Sequence, residues 1–122
     1  MHYLVSGGTG FVGAYVVRDL ARQGHEVVVF DLALNREYLQ DVLSAEELRR
    51  VQLVSGDVTE LPAVLRTVQD ATPKRIVHLA ATLGSSSEAN PLRTLRVNCE
   101  GTINIFEAAL TFNVENIDRF NF

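Results

Sequence analysis

Four glycines and one carboxylate carry the most specific chemistry in this sequence. Residues Tyr3 to Gly13 read Y-L-V-S-G-G-T-G-F-V-G, so Gly7, Gly8, Gly10 and Gly13 stand between an apolar run and a periodic segment containing Val12, Val16 and Leu20. That order predicts a strand, a glycine turn and a helix. Glycines in such a turn permit positive φ, let a pyrophosphate approach the main chain, or let helix and strand touch without a Cβ between them. The first N–H groups of the helix lack internal acceptors and sit at the positive end of its dipole, so they hold an anion without needing a lysine. Eighteen residues after Gly13, Asp31 closes the run His25-Glu-Val-Val-Val-Phe-Asp31. A carboxylate there accepts from both hydroxyls of an adenosine ribose and repels a 2′-phosphate. Alone, the glycines serve equally to reverse the chain, and Asp31 to end a strand. Their order points to a dinucleotide, with NAD favoured over NADP and Arg36 near enough to keep the second open.

Further side chains sit where a ligand is met. Asp57, in Gly56-Asp57-Val58-Thr59, lies at the carboxyl edge of a strand, where open α/β sheets take ligands. It either reaches an adenine amino group or helps Thr59 start the next helix. Asn98 falls one residue off the apolar face of a long helix, where its amide either contacts a ligand or satisfies backbone groups. The small-residue loop from Ala81 to Asn90 either lies close to a ligand or is simply flexible, and its length favours the former. His2, His25 and His78 fall on separate strands and read as core or surface residues. Cys99 is the one cysteine, and no Cys/His cluster has metal spacing.

These residues need a frame, and the apolar pattern supplies one. A helix from Phe11 to Gln23 is expected to bury Val12, Val16 and Leu20 and to stop at Gly24 in a left-handed cap. Val27 to Phe30 are continuously apolar, as in a strand buried on both faces of a parallel sheet. Leu34 to Arg50 read as one or two short helices, with capping-box spacing in Ser44-Ala-Glu-Glu47. Val51 to Ser55 is a third strand, Leu61, Val64, Leu65 and Val68 a helical stripe, and Ile76 to Ala80 a fourth strand. Asn90-Pro91 starts a helix of about six turns running to Asn113. Its apolar face is Leu92, Leu95, Cys99, Thr102, Ile103, Phe106 and Leu110. Ile117 to Phe122 reads as a fifth strand. Alternating strands and helices imply right-handed crossovers, hence a single α/β domain over residues 1–122 with a doubly wound parallel sheet in the order 3-2-1-4-5.

Composition narrows the partners. The chain has 122 residues, 47% of them hydrophobic and 21% charged, as expected of a soluble globular protein, and a formal net charge of −4. That acidic balance argues against nucleic acid and anionic membrane as partners. A lone cysteine fits a reducing, cytoplasmic setting. No apolar run has the length of a membrane span, and the chain opens directly in a strand, so neither export nor insertion is expected.

With these residues in view, the sequence resembles the extended short-chain dehydrogenase/reductases, especially the NAD-dependent nucleotide-sugar epimerases and dehydratases. Ser6-Gly-Gly-Thr-Gly-Phe-Val-Gly13 is similar to that family's T-G-x-x-G-x-x-G loop, with serine in place of threonine. His78-Leu-Ala-Ala81 matches its H-x-A-A strand end, and Val97 to Ala109 its V-N-x-x-G-T-x-N-x-x-E-A-A helix. The resemblance implies a Rossmann-type fold in which Gly7, Gly10, Phe11, Val12 and Gly13 surround the pyrophosphate. It assigns the adenosine ribose to Asp31 and the adenine to Asp57 and Val58. Leu79, Ala80 and Ala81 would pass beneath the nicotinamide side of the cofactor, supported by Asn98. It also implies a homodimer surface on the 91–112 helix.

One departure from the family pattern bears on activity. The family moves protons with a Ser or Thr after the fifth strand and a Tyr-x-x-x-Lys on the next helix. Here the tyrosines are Tyr3, Tyr15 and Tyr38, and the one lysine, Lys74, lies four residues after none of them. The chain therefore reads as an incomplete, cofactor-binding part of such an oxidoreductase, without the substrate-binding C-terminal region and without catalytic residues of its own. Two other readings stand beside this one. The chain is alternatively a non-enzymatic NAD-sensing or protein-interaction module on the same core. A third reading, an S-adenosylmethionine-binding fold, shares the glycines and the acid, but the H-x-A-A and V-N-x-x-G-T motifs count against it.

Overall fold

The computed structural model describes residues 2–82 and 88–119. Its centre is β1 (His2–Ser6), flanked by β2 (Glu26–Asp31) and β3 (Val51–Ser55) on one side and by β4 (Arg75–His78) and β5 (Asn116–Arg119) on the other. All neighbouring pairs are parallel, so the sheet has the expected order 3-2-1-4-5. In this register Ser6 lies opposite both Phe30 and His78, and Asp31 lies opposite Ser55. The carboxyl ends of four strands therefore share one edge.

Side chains that alternate along a strand feed opposite faces. Leu4, Phe30 and Ile76 pack with Val64, Val68, Ile105 and Ala108 on one side of the sheet. Val5, Val27 and Val29 pack with Ala14, Val17, Leu39 and Leu43 on the other. Both faces are covered, which explains the unbroken apolar run in β2. Among the described residues the helices include α1 (Phe11–Arg22), α2 (Arg36–Val42), α3 (Ala45–Leu48), α4 (Leu61–Ala71), α5 (Pro91–Leu95) and α6 (Gly101–Thr111). The Ser44/Glu47 capping box, the Asn90 cap and the left-handed Gly24, at φ 88°, all form as the sequence predicts.

Two helices turn a different face inward. In α1 the buried residues are Gly13, Ala14, Val17 and Ala21, whereas Val12 is exposed and Val16 and Leu20 are half-buried. In α6 they include Gly101, Thr102, Ile105, Ala108 and Ala109, with Ile103, Phe106 and Leu110 turned out. The reason is the same in both. The smallest side chains allow closest approach to the sheet, and that packing sets the helix phase over the size of the apolar residues beside it. A Cβ on Gly101 would come within 2.6 Å of Val58 Cγ2.

The expected long helix is also divided. A π-helical turn at Arg96–Glu100 joins α5 to α6, and the helix ends at Thr111. β4 stops at His78, two residues earlier than expected, and β5 begins at Asn116. The proposed continuation of that strand through 120–122, and most of the loop after Ala81 at 83–87, lie outside the described residues.

The glycine turn fastens β1 to α1. Gly7 takes φ 73°, which an L side chain adopts only with strain, and donates its N–H to Phe30 O at 2.9 Å. Gly13 in α1 sits so close that a Cβ there would lie 2.1 Å from Gly7 O. Gly13→Ala is therefore expected to cost about 3 kcal/mol or more, because the clash is with main chain and no side chain can give way. Urea unfolding of the variant beside wild type measures the loss, and an unchanged midpoint would contradict the packing described.

Candidate functional site

A cleft of about 310 Å³ opens along the carboxyl edge of the sheet. Its lining comes from five places: Gly7 and Gly10 of the turn, Phe30 to Ala33 at and after the end of β2, Gly56 to Val58 after β3, Leu79 to Thr82 after β4, and Arg93 and Val97. This is where a parallel sheet with helices on both faces leaves room for a ligand, between loops that leave in opposite directions.

At the turn, α1 starts with an unusual bareness. Its N-cap is Gly10, which makes no side-chain cap, and no acidic residue lies in its first turn. By contrast α2, α3 and α5 are closed by Asn35, Ser44 and Asn90. Helix geometry gives Phe11, Val12 and Gly13 no i−4 acceptor for their N–H groups. The positive end of α1 thus meets the cleft beside Gly10 with no anion of its own.

Asp31 points at this turn. Its Oδ2 accepts from the Thr9 N–H at 3.1 Å and from the Thr9 hydroxyl at 2.7 Å, while Oδ1 accepts from the Leu32 N–H at 2.9 Å. The carboxylate is oriented before any ligand arrives. Arg36 is exposed and borders a separate groove with Leu39 and Leu53, away from the cleft.

Asp57 is held in the cleft wall. Oδ1 accepts from the N–H and hydroxyl of Thr59 at 2.9 and 2.8 Å, and Oδ2 pairs with Arg93 Nη2 at 2.8 Å. Burial pushes its carboxyl up, but the Thr59 N–H, the Arg93 guanidinium and the Thr59 hydroxyl together hold it below the ordinary carboxylate value. Asp57 does steady Thr59, although the N-cap of α4 itself is Glu60.

Asn98, in the π-helical turn, accepts from the Thr82 N–H at 2.8 Å and donates to Thr82 O at 3.1 Å. It takes the backbone-satisfying role, and it does so on the segment that lines the cleft. Of the residues singled out from sequence, Gly7, Gly10, Asp31, Asp57, Val58, Leu79, Ala80 and Ala81 line the cleft together. Phe11, Val12, Gly13 and Asn98 do not. The Phe11 and Val12 side chains face solvent, and Gly13 is packed against Gly7. Thr9 and Arg93 were not singled out by that reading. A cation in the first turn of a helix opposes the dipole, and Arg93 three residues after the Asn90 cap is a signal that a carboxylate partner lies nearby.

A family model described as GDP-mannose 4,6 dehydratase matches residues 4–122. The chain is 28% identical over 114 residues to CDP-paratose 2-epimerase of Salmonella typhi, covering 93% of this chain and 34% of the relative. It is 33% identical over 117 residues to dTDP-glucose 4,6-dehydratase 1 of Escherichia coli (strain K12), covering 92% and 32%. Among solved structures it is similar to the Bordetella bronchiseptica enzyme WbmG in complex with NAD, with a TM-score of 0.84, 28% identity, and coverage of 99% of this chain and 37% of that one. The chain thus spans about a third of the length of these relatives.

The Asp57 network has a pH signature. Its folded carboxyl titrates below the unfolded value of 3.8, so its contribution to stability is present above that value and lost as pH falls through the folded one. The stability gap between wild type and Asp57→Asn is expected in full at pH 6 and to shrink steadily below about pH 4. Urea midpoints of both proteins across that range measure it, and a gap that widens on acidification would refute the network.

Proposed function

The chain belongs to the family whose model is described as GDP-mannose 4,6 dehydratase, and we propose that it is the NAD-binding part of an epimerase/dehydratase-type oxidoreductase acting on a nucleotide sugar. The observation that carries this reading is the start of α1, which has no side-chain cap and no acidic residue in its first turn, opening on the cleft beside Gly10. A Cβ on Gly10 would lie 3.3 Å from Gly7 O at the lining of the cleft, a crowding that glycine avoids. The fit to a dinucleotide is that of a main-chain cradle with two oriented acids beside it.

In this reading Gly7, Gly10, Phe11, Val12 and Gly13 form the pyrophosphate turn through their main chain. Asp31, already turned by Thr9 and Leu32, receives the adenosine ribose hydroxyls, and its charge with Arg36 directed elsewhere favours NAD over NADP. Asp57 and Val58 border the adenine. Leu79, Ala80 and Ala81 form the wall toward the nicotinamide, and Asn98 braces that wall through Thr82. NAD, when bound, supplies the acceptor and donor of a hydride. These residues bind and orient it. They hold no proton-transfer pair, because no tyrosine here has a lysine four residues on, so these 122 residues alone are expected to bind without turning over.

A second reading, in which the chain acts by association as an NAD-responsive module, is favoured by one feature. Leu92, Leu95, Ile103, Phe106 and Leu110 on the 91–112 segment are all exposed, with Leu110 at 75%. Apolar side chains gathered on one element suit a partner, here a homodimer through that face.

Calorimetry is expected to show NAD binding more tightly than NADP. Asp31→Asn should narrow that preference, and Gly10→Ala should weaken NAD about tenfold or more while the fold is retained. A folded wild-type chain that binds neither dinucleotide would overturn the reading. Light scattering separates the two roles: a size that changes on adding NAD supports the associating module, and an unchanged size supports the cofactor-binding part.

A further inference from the structure

His78 is 4% exposed, and each of its ring nitrogens meets a hydroxyl. Nδ1 lies 2.6 Å from Ser6 Oγ, and Nε2 lies 3.0 Å from Thr102 Oγ1. Counting protons determines which nitrogen carries one. Thr102 has a single hydroxyl proton, and its Oγ1 is 2.7 Å from Asn98 O, an atom that can only accept. The proton goes there, so Thr102 accepts from His78, and Nε2 bears the hydrogen. At the other nitrogen, Ser6 Oγ accepts from the N–H groups of Leu79 at 3.1 Å and Ala80 at 3.2 Å. Both of its lone pairs are used, so its own proton points to Nδ1, which must be bare.

We propose that His78, held as the neutral Nε2–H tautomer, is a positioning residue for the cleft. It acts through the Ser6 hydroxyl on the main chain of Leu79 and Ala80. The role rests on reading the cleft as a dinucleotide site. The Leu79 N–H also reaches Ser6 O at 3.0 Å and continues the ladder between β1 and β4, but Ala80 lies past the end of that ladder. There the serine hydroxyl extends the strand pairing by one step. The position of Ala80 matters because Gly7 rests on it: a Cβ on Gly7 would come within 2.8 Å of Ala80 N. A displaced Ala80 moves both the cleft wall and the turn. The same chain of bonds runs through Thr102 to the carbonyl of Asn98, whose side chain grips Thr82. Residues 79–82 are thereby braced from β1 on one side and from the π-helical turn on the other.

Long-range proton–nitrogen NMR on the 15N-labelled 122-residue chain at pH 7 is expected to show the His78 ring protonated at Nε2 and bare at Nδ1. The opposite tautomer, or a doubly protonated ring, would overturn the proposal without reference to any ligand. With NAD as probe, Ser6→Ala should bind about tenfold more weakly while the ring stays protonated at Nε2, because Thr102 remains its acceptor, and Ser6→Thr, which keeps the hydroxyl, should restore the affinity. Wild-type binding with an unweakened Ser6→Ala overturns the positioning role alone. A wild-type chain that binds no NAD overturns the dinucleotide reading and this role with it, even where the tautomer is as stated.

Discussion

The contact between Gly7 and Gly13 is the constraint on which the other features depend. With a Cβ on Gly13 only 2.1 Å from a main-chain oxygen, α1 can start where it does only if that position is bare. The approach brings the first turn of the helix down to the tip of β1. There Phe30 O takes the Gly7 N–H, and the Thr9 groups turn toward Asp31. One steric permission therefore sets the direction of a helix dipole, the orientation of a carboxylate and the floor of a cleft. An anion site made of main chain needs this kind of rigidity, because amide donors have no side-chain rotamers with which to adjust.

Around that contact the polar groups form a second level of order. Ser6, His78, Thr102 and Asn98 link three segments that are far apart in sequence, and every hydroxyl proton among them has a definite acceptor. Buried networks of this kind specify one arrangement when fully satisfied and are costly when they are not. In the cleft wall Ala80 packs against one core cluster and Leu79 against the other, and these bonds hold the main chain between them. Across the cleft, Arg93 offsets the charge of Asp57 beside the net-negative surface of the chain.

The strands, their order and the cleft residues of the glycine turn and strand tips were legible in the sequence, because buried parallel strands are continuous apolar runs and glycine turns announce themselves. Helix phase was not. In α1 the reading from Val12, Val16 and Leu20 missed by one residue, since Gly13, Ala14, Val17 and Ala21 give closer packing than larger neighbours. In α6 the same effect turned Ile103, Phe106 and Leu110 outward, and the π-helical turn before it broke the continuity that a single 3.6-residue period assumes. Thr9 escaped notice because its partner is 22 residues away. Arg93 reaches 36 residues to Asp57, and only the helix-dipole conflict hints at it.

The central place of β1 also governs how the chain comes into being. This strand, made before the other four, lies between β2 and β4, and the Ser6 to His78 bond spans 72 residues. On a ribosome adding about 5 to 20 residues per second, Leu4 and Val5 must wait roughly 4 to 14 s for β4 to emerge and cover their second edge. During that interval a strongly apolar strand is paired on one side only. Loop closure over such distances makes nascent-chain folding slow, and a chaperone able to shield that edge would have its greatest effect before the fourth strand is complete.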